Sequence, residues 1–155
     1  MIDQRSRAAF ALSLRQFAAG RITNDEFEDR IPRHSSDPAV RAIADAAWFL
    51  YSDLRTYRLR GRNRLPKSTR GAVSRCILFL ATDLPYEWPV ERRSIARGLA
   101  YFVANLFTLG AIARRHLASW RRQPNSELWP FFRPVDYQQR LAHPPFLSGR
   151  RGGSR

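Results

Sequence analysis

The chain of 155 residues contains one cysteine and one lysine, and it has no carboxylate between Arg55 and Arg75. A single cysteine excludes an intramolecular disulfide. Because Cys76 begins the apolar run 76–81, we expect a buried and unreactive thiol. Residues 3–7 are polar and lead into a helix, which differs from the apolar core of a secretory signal. The sequence therefore predicts a protein of the reducing cytoplasm, with a membrane-associated location as the alternative.

The sequence lacks the short motifs that mark common catalytic and metal sites. It has no Walker A loop, no GxGxxG, no HExxH and no paired CxxC. Its three histidines have no partner at the spacing of a metal site or a catalytic triad. The sequence therefore predicts no catalytic residue, no metal site and no cofactor.

One enzyme alternative stays open at a pair of carboxylates. Asp83 and Glu87 lie four residues apart beside Trp88, and Pro85 between them prevents one continuous helix. Burial near the indole would raise the pKa of either carboxyl group and suit it to acid–base chemistry. Pairing of Glu87 with an arginine is the alternative structural role.

Positive charge is concentrated in two parts of the chain. Residues 1–54 carry seven cations and eight acids, and residues 76–113 carry three of each. Residues 55–75 carry eight cations and no acid, and residues 114–155 carry nine cations and two acids. These two basic segments explain the net charge of +14. Such charge attracts polyanions such as nucleic acid, anionic lipid or an acidic protein.

Residues 58–67 are predicted to form a basic loop. Arginine alternates there with leucine, glycine and asparagine, so an extended backbone would place four guanidinium groups on one side. Each guanidinium can hold a phosphate through two hydrogen bonds, and Tyr51 and Tyr57 are close enough in sequence to stack on bases. A second basic cluster, at positions 114, 115, 121 and 122, has the spacing of residues on one face of a helix. The candidate anion-binding residues are Arg55, Arg58, Arg60, Arg62, Arg64, Lys67, Arg114, Arg115, Arg121 and Arg122.

The same charge has a plainer interpretation. Every basic residue except Lys67 is an arginine, a bias that the nucleotide composition of a genome would also produce. The basic loop is then a solvated connection between two helices. The missing carboxylates are not explained by that bias.

Helical spacing of apolar residues, with capping residues at the boundaries, predicts an all-α protein. Asp3 is placed to cap a first helix that ends at Gly20, and Thr23 with Glu26 forms a capping box for a short second helix. Pro32 stops that second helix. The first two helices form an αα-hairpin over residues 1–33.

The same helical spacing of apolar residues predicts three further helices. Asp37 and Pro38 begin a third helix, whose apolar stripe extends to Leu54, so that the helix ends near Tyr57. A fourth helix begins after Ser68 and is closed by a proline at position 85, and a short helix is predicted around residues 135–141.

The uncharged run 98–113 has three interpretations. We expect residues 99–109 to be the central apolar helix of a single domain of about five to six helices, spanning residues 1–146. Insertion into a membrane or an interface in a dimer are the alternatives. Residues 147–155 are predicted to be a disordered basic tail.

Residues 14–30, and above all residues 20–28 (GRITNDEFE), resemble the Gly-Ile-Ile-Thr-x-x-Glu-Phe core of the short C-terminal domain family called SHOCT. The resemblance implies a helical hairpin with a role in oligomerisation or binding. As a whole the chain resembles small bacterial proteins of unknown function, which implies no mechanism.

Three functional hypotheses follow from these patterns. The first is a non-enzymatic helical module that binds a polyanion, with nucleic acid as the first candidate. The second is a helical adaptor that lies on an anionic membrane surface or self-associates through residues 98–113. The third is an enzyme centred on Asp83 and Glu87.

Overall fold

The computed structural model describes residues 1–52, 54–88 and 126–144. The chain divides into two units, one formed by residues 1–88 with 128–155 and the other by residues 89–127. The described residues form five α-helices and no strand, which confirms the predicted all-α class. These helices are α1 (Gln4–Ala18), α2 (Asn24–Asp29), α3 (Pro38–Ala47), α4 (Lys67–Leu80) and α5 (Pro134–Ala142). Residues 99–109, predicted as the central helix, lie outside the described residues.

The first three helices begin at the predicted capping residues. The Asp3 carboxylate accepts a hydrogen bond from the Ser6 N–H at 3.0 Å, which caps α1. At the start of α2, the Thr23 hydroxyl accepts from the Glu26 N–H at 3.1 Å, and the Glu26 carboxylate accepts from the Thr23 N–H at 2.8 Å. This reciprocal pair is the predicted capping box.

The core of the first unit is built from one face of each of the first four helices. Phe10, Leu14 and Phe17 of α1 are buried, as their spacing predicts. The Phe17 ring stacks on the Phe27 ring of α2 at 4.5 Å between centroids and 8° between planes. The main contributions of α3 and α4 are Val40, Ile43, Val73, Cys76, Phe79 and Leu80.

Cys76 lies on the buried face of α4, as predicted, and is 6% exposed. Burial raises the pKa of its thiol to about 12 because no water solvates the thiolate there. At neutral pH the side chain is therefore a neutral thiol that packs as an apolar group.

The third helix is shorter than its apolar stripe predicts. α3 ends at Ala47 and a 3₁₀ turn, Trp48–Leu50, follows it. The predicted end near Tyr57 is therefore wrong, and Leu54, expected on the buried stripe, is 94% exposed. Beyond the 3₁₀ turn, the carbonyl groups of Ser52 and Arg55 accept hydrogen bonds from the side chain of Asn24 in α2.

α4 ends before the proline that was predicted to close it, and a buried arginine binds the chain that follows the helix. The helix ends at Leu80, and the Arg7 Nη1 atom donates to the carbonyl oxygens of Thr82 at 2.9 Å and Leu84 at 2.8 Å. Arg7 is fully buried and also forms an ion pair with Asp37, the N-cap of α3. The start of α1, the start of α3 and the end of α4 therefore meet at one guanidinium group.

Candidate anion-binding site

Two buried leucines hold the predicted basic loop against the core. Leu59 is 4% exposed and Leu65 is 8% exposed. The arginines at positions 58, 60, 62 and 64 are all exposed. The loop is thus attached to the protein at both ends by apolar side chains, while its guanidinium groups face solvent.

The backbone of the loop is extended at Arg60 and Arg64 but turns between them. A 3₁₀ turn occupies Gly61–Asn63, closed by hydrogen bonds from the Asn63 N–H to the Arg60 carbonyl at 3.0 Å and from the Arg64 N–H to the Gly61 carbonyl at 3.2 Å. Gly61 has φ of +55°, a left-handed conformation that favours glycine. A turn, rather than a strand, therefore sets the spacing of the four arginines.

Asn24, in the first turn of α2, fixes the chain that enters the basic loop. Its side chain is 1% exposed. The Nδ2 atom donates to the carbonyl oxygens of Ser52 at 3.2 Å and Arg55 at 3.1 Å. The Oδ1 atom accepts from the Tyr57 N–H at 2.7 Å, and the Asn24 N–H donates to the Tyr57 carbonyl at 3.0 Å. Four hydrogen bonds from one residue thus hold the segment in place.

Gly20 allows the loop to lie directly against the end of α1. A Cβ atom at this position would lie 2.7 Å from Cγ of Arg60 and 3.1 Å from the carbonyl oxygen of Leu59. Gly20 also has φ of +65°, as expected for the residue that ends the helix. The α1–α2 hairpin is therefore the support on which the basic loop is mounted.

The acidic side chains nearest to the loop are engaged in hydrogen bonds. Asp25 accepts from the Thr56 hydroxyl. A backbone hydrogen bond from Thr23 is the main cause that lowers the pKa of Glu26, and the charge of Arg58 lowers it further. The negative charge of Glu26 therefore partly offsets the positive charge of Arg58.

Four cations of the site have no such partner among the described residues. Arg60, Arg62, Arg64 and Lys67 are exposed and form no ion pair there. Arg55 is also exposed, and its guanidinium carbon lies 6.0 Å from the centre of the Tyr57 ring. The described half of the predicted site thus presents cations to solvent. Its other half, Arg114, Arg115, Arg121 and Arg122, lies outside the described residues.

The two tyrosines predicted to stack on bases are engaged within the protein. The Tyr51 ring packs edge-on against Phe17 at 6.0 Å and Phe27 at 5.8 Å. The Tyr57 hydroxyl accepts a hydrogen bond from the Ser52 N–H at 3.0 Å. Both side chains are half-buried, so they are positioned to support the surface rather than to form it.

The exposed rings of this region are Trp48, at 50% exposure, and Phe49, at 79%. Sequence reasoning did not select them as candidate site residues. The sequence contained a signal for their exposure, because both fall outside the apolar stripe of α3 formed by Val40, Ile43 and Ala47. A large apolar residue outside such a stripe is expected to face solvent.

The enzyme candidates Asp83 and Glu87 form ion pairs with the α5 segment. The Arg140 Nη2 atom lies 3.1 Å from Oδ1 of Asp83, and the Arg133 Nη2 atom lies 3.1 Å from Oε1 of Glu87. Asp83 is 80% exposed at its side chain. Trp88 is buried and donates from Nε1 to the Pro130 carbonyl at 3.1 Å. Glu87 thus has the arginine partner that the structural alternative expected.

The described residues contain neither a membrane-spanning helix nor a cluster of metal ligands. No helix there has the length and hydropathy that crossing a membrane requires. No group of three His, Cys, Asp or Glu side chains there is arranged to hold a metal ion. The membrane candidate, residues 98–113, lies outside this part of the chain.

Comparison of the chain with protein-family models, with curated proteins and with solved structures finds no match. The resemblance of residues 14–30 to SHOCT stays a prediction.

Proposed function

We propose that this protein is a non-enzymatic helical module that binds a polyanion, with nucleic acid as the first candidate, through the basic loop of residues 58–67. The observation that carries the proposal is the fixed loop with exposed cations at positions 60, 62, 64 and 67 that form no ion pair with a described residue. A loop that only connects two helices needs no such charge.

The attachment of the loop supports binding. Leu59 and Leu65 are buried, and Asn24 fixes the chain that leads into the loop. A ligand therefore meets cations whose backbone is already ordered, so that less conformational entropy is lost on binding.

The residue type supports an oxyanion ligand. Arginine presents a planar fork of N–H donors that matches two oxygens of a phosphate, and its charge persists at every physiological pH. Several such groups on one short loop suit a ligand with repeated phosphates more than a single anion.

The test replaces two loop cations and compares the result with a matched control. Arg62→Gln with Arg64→Gln removes two charges from the loop. Arg5→Gln with Arg41→Gln removes the same charge from α1 and α3, where both side chains are exposed and form no ion pair with a described residue. Affinity for duplex DNA, single-stranded DNA, RNA and heparin is measured as a function of salt concentration for each variant.

We expect the loop variant to bind more weakly and to flatten the log–log salt dependence on a duplex by about two units, since each phosphate contact contributes about 0.9. The control variant should change the slope by much less. Failure of the unaltered protein to bind any of these polyanions at low salt would contradict the proposal, and so would equal effects of the two variants.

A further inference from the structure

Exposed apolar side chains precede the basic loop in the sequence. Trp48 and Phe49 occupy the 3₁₀ turn after α3. Leu54 follows in the same connection and is 94% exposed. We refer to Trp48 and Phe49 as the aromatic turn. Single exposed apolar side chains are common, but two adjacent exposed rings joined to a basic segment call for a partner.

Tyr51 connects Trp48 of the aromatic turn to the buried core. The Trp48 ring lies 6.0 Å from the Tyr51 ring at an angle of 56°. Tyr51 in turn packs edge-on against Phe17 and Phe27, which belong to the buried core. The Trp48 ring therefore stands on a rigid base and loses little freedom when it binds.

The same segment carries the first cations of the site. Asn24 holds the carbonyl groups of Ser52 and Arg55, so the chain between the aromatic turn and the basic loop is attached to α2. Arg55 lies over the Tyr57 ring, and Arg58 follows at once. The rings and the guanidinium groups are thus carried by neighbouring segments that are both attached to the α1–α2 hairpin.

We infer that the ligand of this surface is a single-stranded nucleic acid whose bases stack on Trp48 and Phe49 while the basic loop holds its phosphates. This inference rests on the proposed function. Flat exposed rings can stack only on bases that are free of their neighbours, and the bases of a duplex are already stacked on each other. Arginines alone would accept either form of nucleic acid.

An anionic membrane is the competing partner for a surface of rings and arginines. Membrane binding depends on the apolar area that is buried, and interfacial segments supply it through a long amphipathic helix. Here the apolar part consists of two rings in a three-residue turn and Leu54, whereas exposed cations occupy positions 55, 58, 60, 62, 64 and 67. The balance of charge over apolar area favours a nucleic acid.

The experiment separates bases from phosphates. Full-length protein is titrated with an oligothymidylate, with an abasic strand of the same length, with a duplex of the same length, and with phosphatidylcholine vesicles containing phosphatidylserine. The test variant is Trp48→Leu with Phe49→Leu, because leucine keeps an apolar side chain but offers no ring. Phe132→Leu is the control, since Phe132 is an exposed ring at 45% outside this surface. Circular dichroism confirms folding, and Phe49→Leu alone serves if the double variant unfolds.

We expect the unaltered protein to prefer oligothymidylate to the abasic strand by about 5- to 150-fold for each base that stacks. The double variant should lose that preference and bind both strands as the unaltered protein binds the abasic one. The Phe132 variant should keep the preference.

Other results overturn the inference in different ways. Equal binding of the two strands, with the salt dependence of the basic loop intact, would reject the stacking surface and leave the proposed function standing. A preference for the duplex would also reject the stacking surface and leave the proposed function standing. Tighter binding to vesicles that survives the leucine substitutions would assign the surface to a membrane. Absence of binding to every probe would reject the proposed function itself.

Discussion

The Nε atom of Arg7 lies 2.6 Å from the Oδ2 atom of Asp37, and both side chains are fully buried. A second bond joins Nη2 of Arg7 to Oδ1 of Asp37 at 3.2 Å. The same carboxylate accepts from the N–H groups of Asp3 at 3.0 Å and Ala39 at 2.9 Å. A buried ion pair offsets its desolvation only when hydrogen bonds satisfy both partners, and this one meets that condition.

Removal of one charge from this pair should destabilise the protein strongly. Asp37→Asn leaves the guanidinium of Arg7 buried without a counter-ion, which we expect to cost about 3–5 kcal/mol in the free energy of unfolding by urea. Glu28→Gln is the matched control. Its pair with Arg33 also has a distance of 2.6 Å, but the two side chains are 34% and 53% exposed. That change should cost at most about 1 kcal/mol. Equal losses would show that burial does not decide the strength of these pairs.

The same carboxylate should make stability depend on acid pH. Burial by itself raises the pKa of Asp37, but hydrogen bonds from Arg7 and from backbone N–H groups, with the charge of Arg7, hold it below its usual value. Its stabilising contribution is therefore complete well above about pH 3.9, the usual value of an unfolded Asp, and is lost as the pH falls through the lower folded value. Unfolding free energies at about pH 6 and about pH 3 should differ less in Asp37→Asn than in the unaltered protein. An identical pH dependence would contradict this assignment.

Two glycines with similar backbone angles should respond differently to alanine. Gly20 and Gly61 have φ of +65° and +55°, so each substitution should cost about 1–2 kcal/mol in backbone strain. The added methyl group meets Arg60 at 2.7 Å only at position 20, whereas it meets nothing within 4 Å at position 61. Gly20→Ala should therefore cost about 1–3 kcal/mol more, as measured by urea unfolding. Equal costs would mean that the loop does not lie against the end of α1.

Loss of Asn24 should release the segment that leads into the basic loop. Asn24→Ala leaves the Tyr57 N–H and two carbonyl groups without their partner, and each buried unsatisfied group costs about 1–3 kcal/mol. We expect limited trypsin digestion to cut after Arg55 and Arg58 much faster in this variant. Asn63→Ala is the control, because Asn63 lies in the same loop and its side chain is half-buried. Similar digestion of both variants would show that Asn24 is not the anchor.

The candidate site was predicted in part. A run without carboxylates is visible in any single chain, and the cations in it at positions 55, 58, 60, 62, 64 and 67 are exposed. Sequence reasoning did not indicate which rings are exposed. Tyr51 and Tyr57 were selected for their nearness in sequence, but packing against Phe17 and a hydrogen bond to Ser52 engage them, whereas Trp48 and Phe49 face solvent.

The sequence by itself determined where the first three helices begin, because a capping residue acts on an N–H group only two or three positions away, as at Asp3, Thr23 and Asp37. It also determined the all-α class through the local spacing of apolar residues. Tertiary structure decided the path of the chain after α3 and α4, since Asn24 and Arg7, which are distant in sequence, bind the backbone carbonyl groups there. It decided as well that Arg7 is buried. A charged side chain is buried only when an ion pair and hydrogen bonds satisfy it, and for Arg7 these come from Asp37 and from carbonyl groups that follow α4. Because these partners are distant in sequence, no local pattern predicts them.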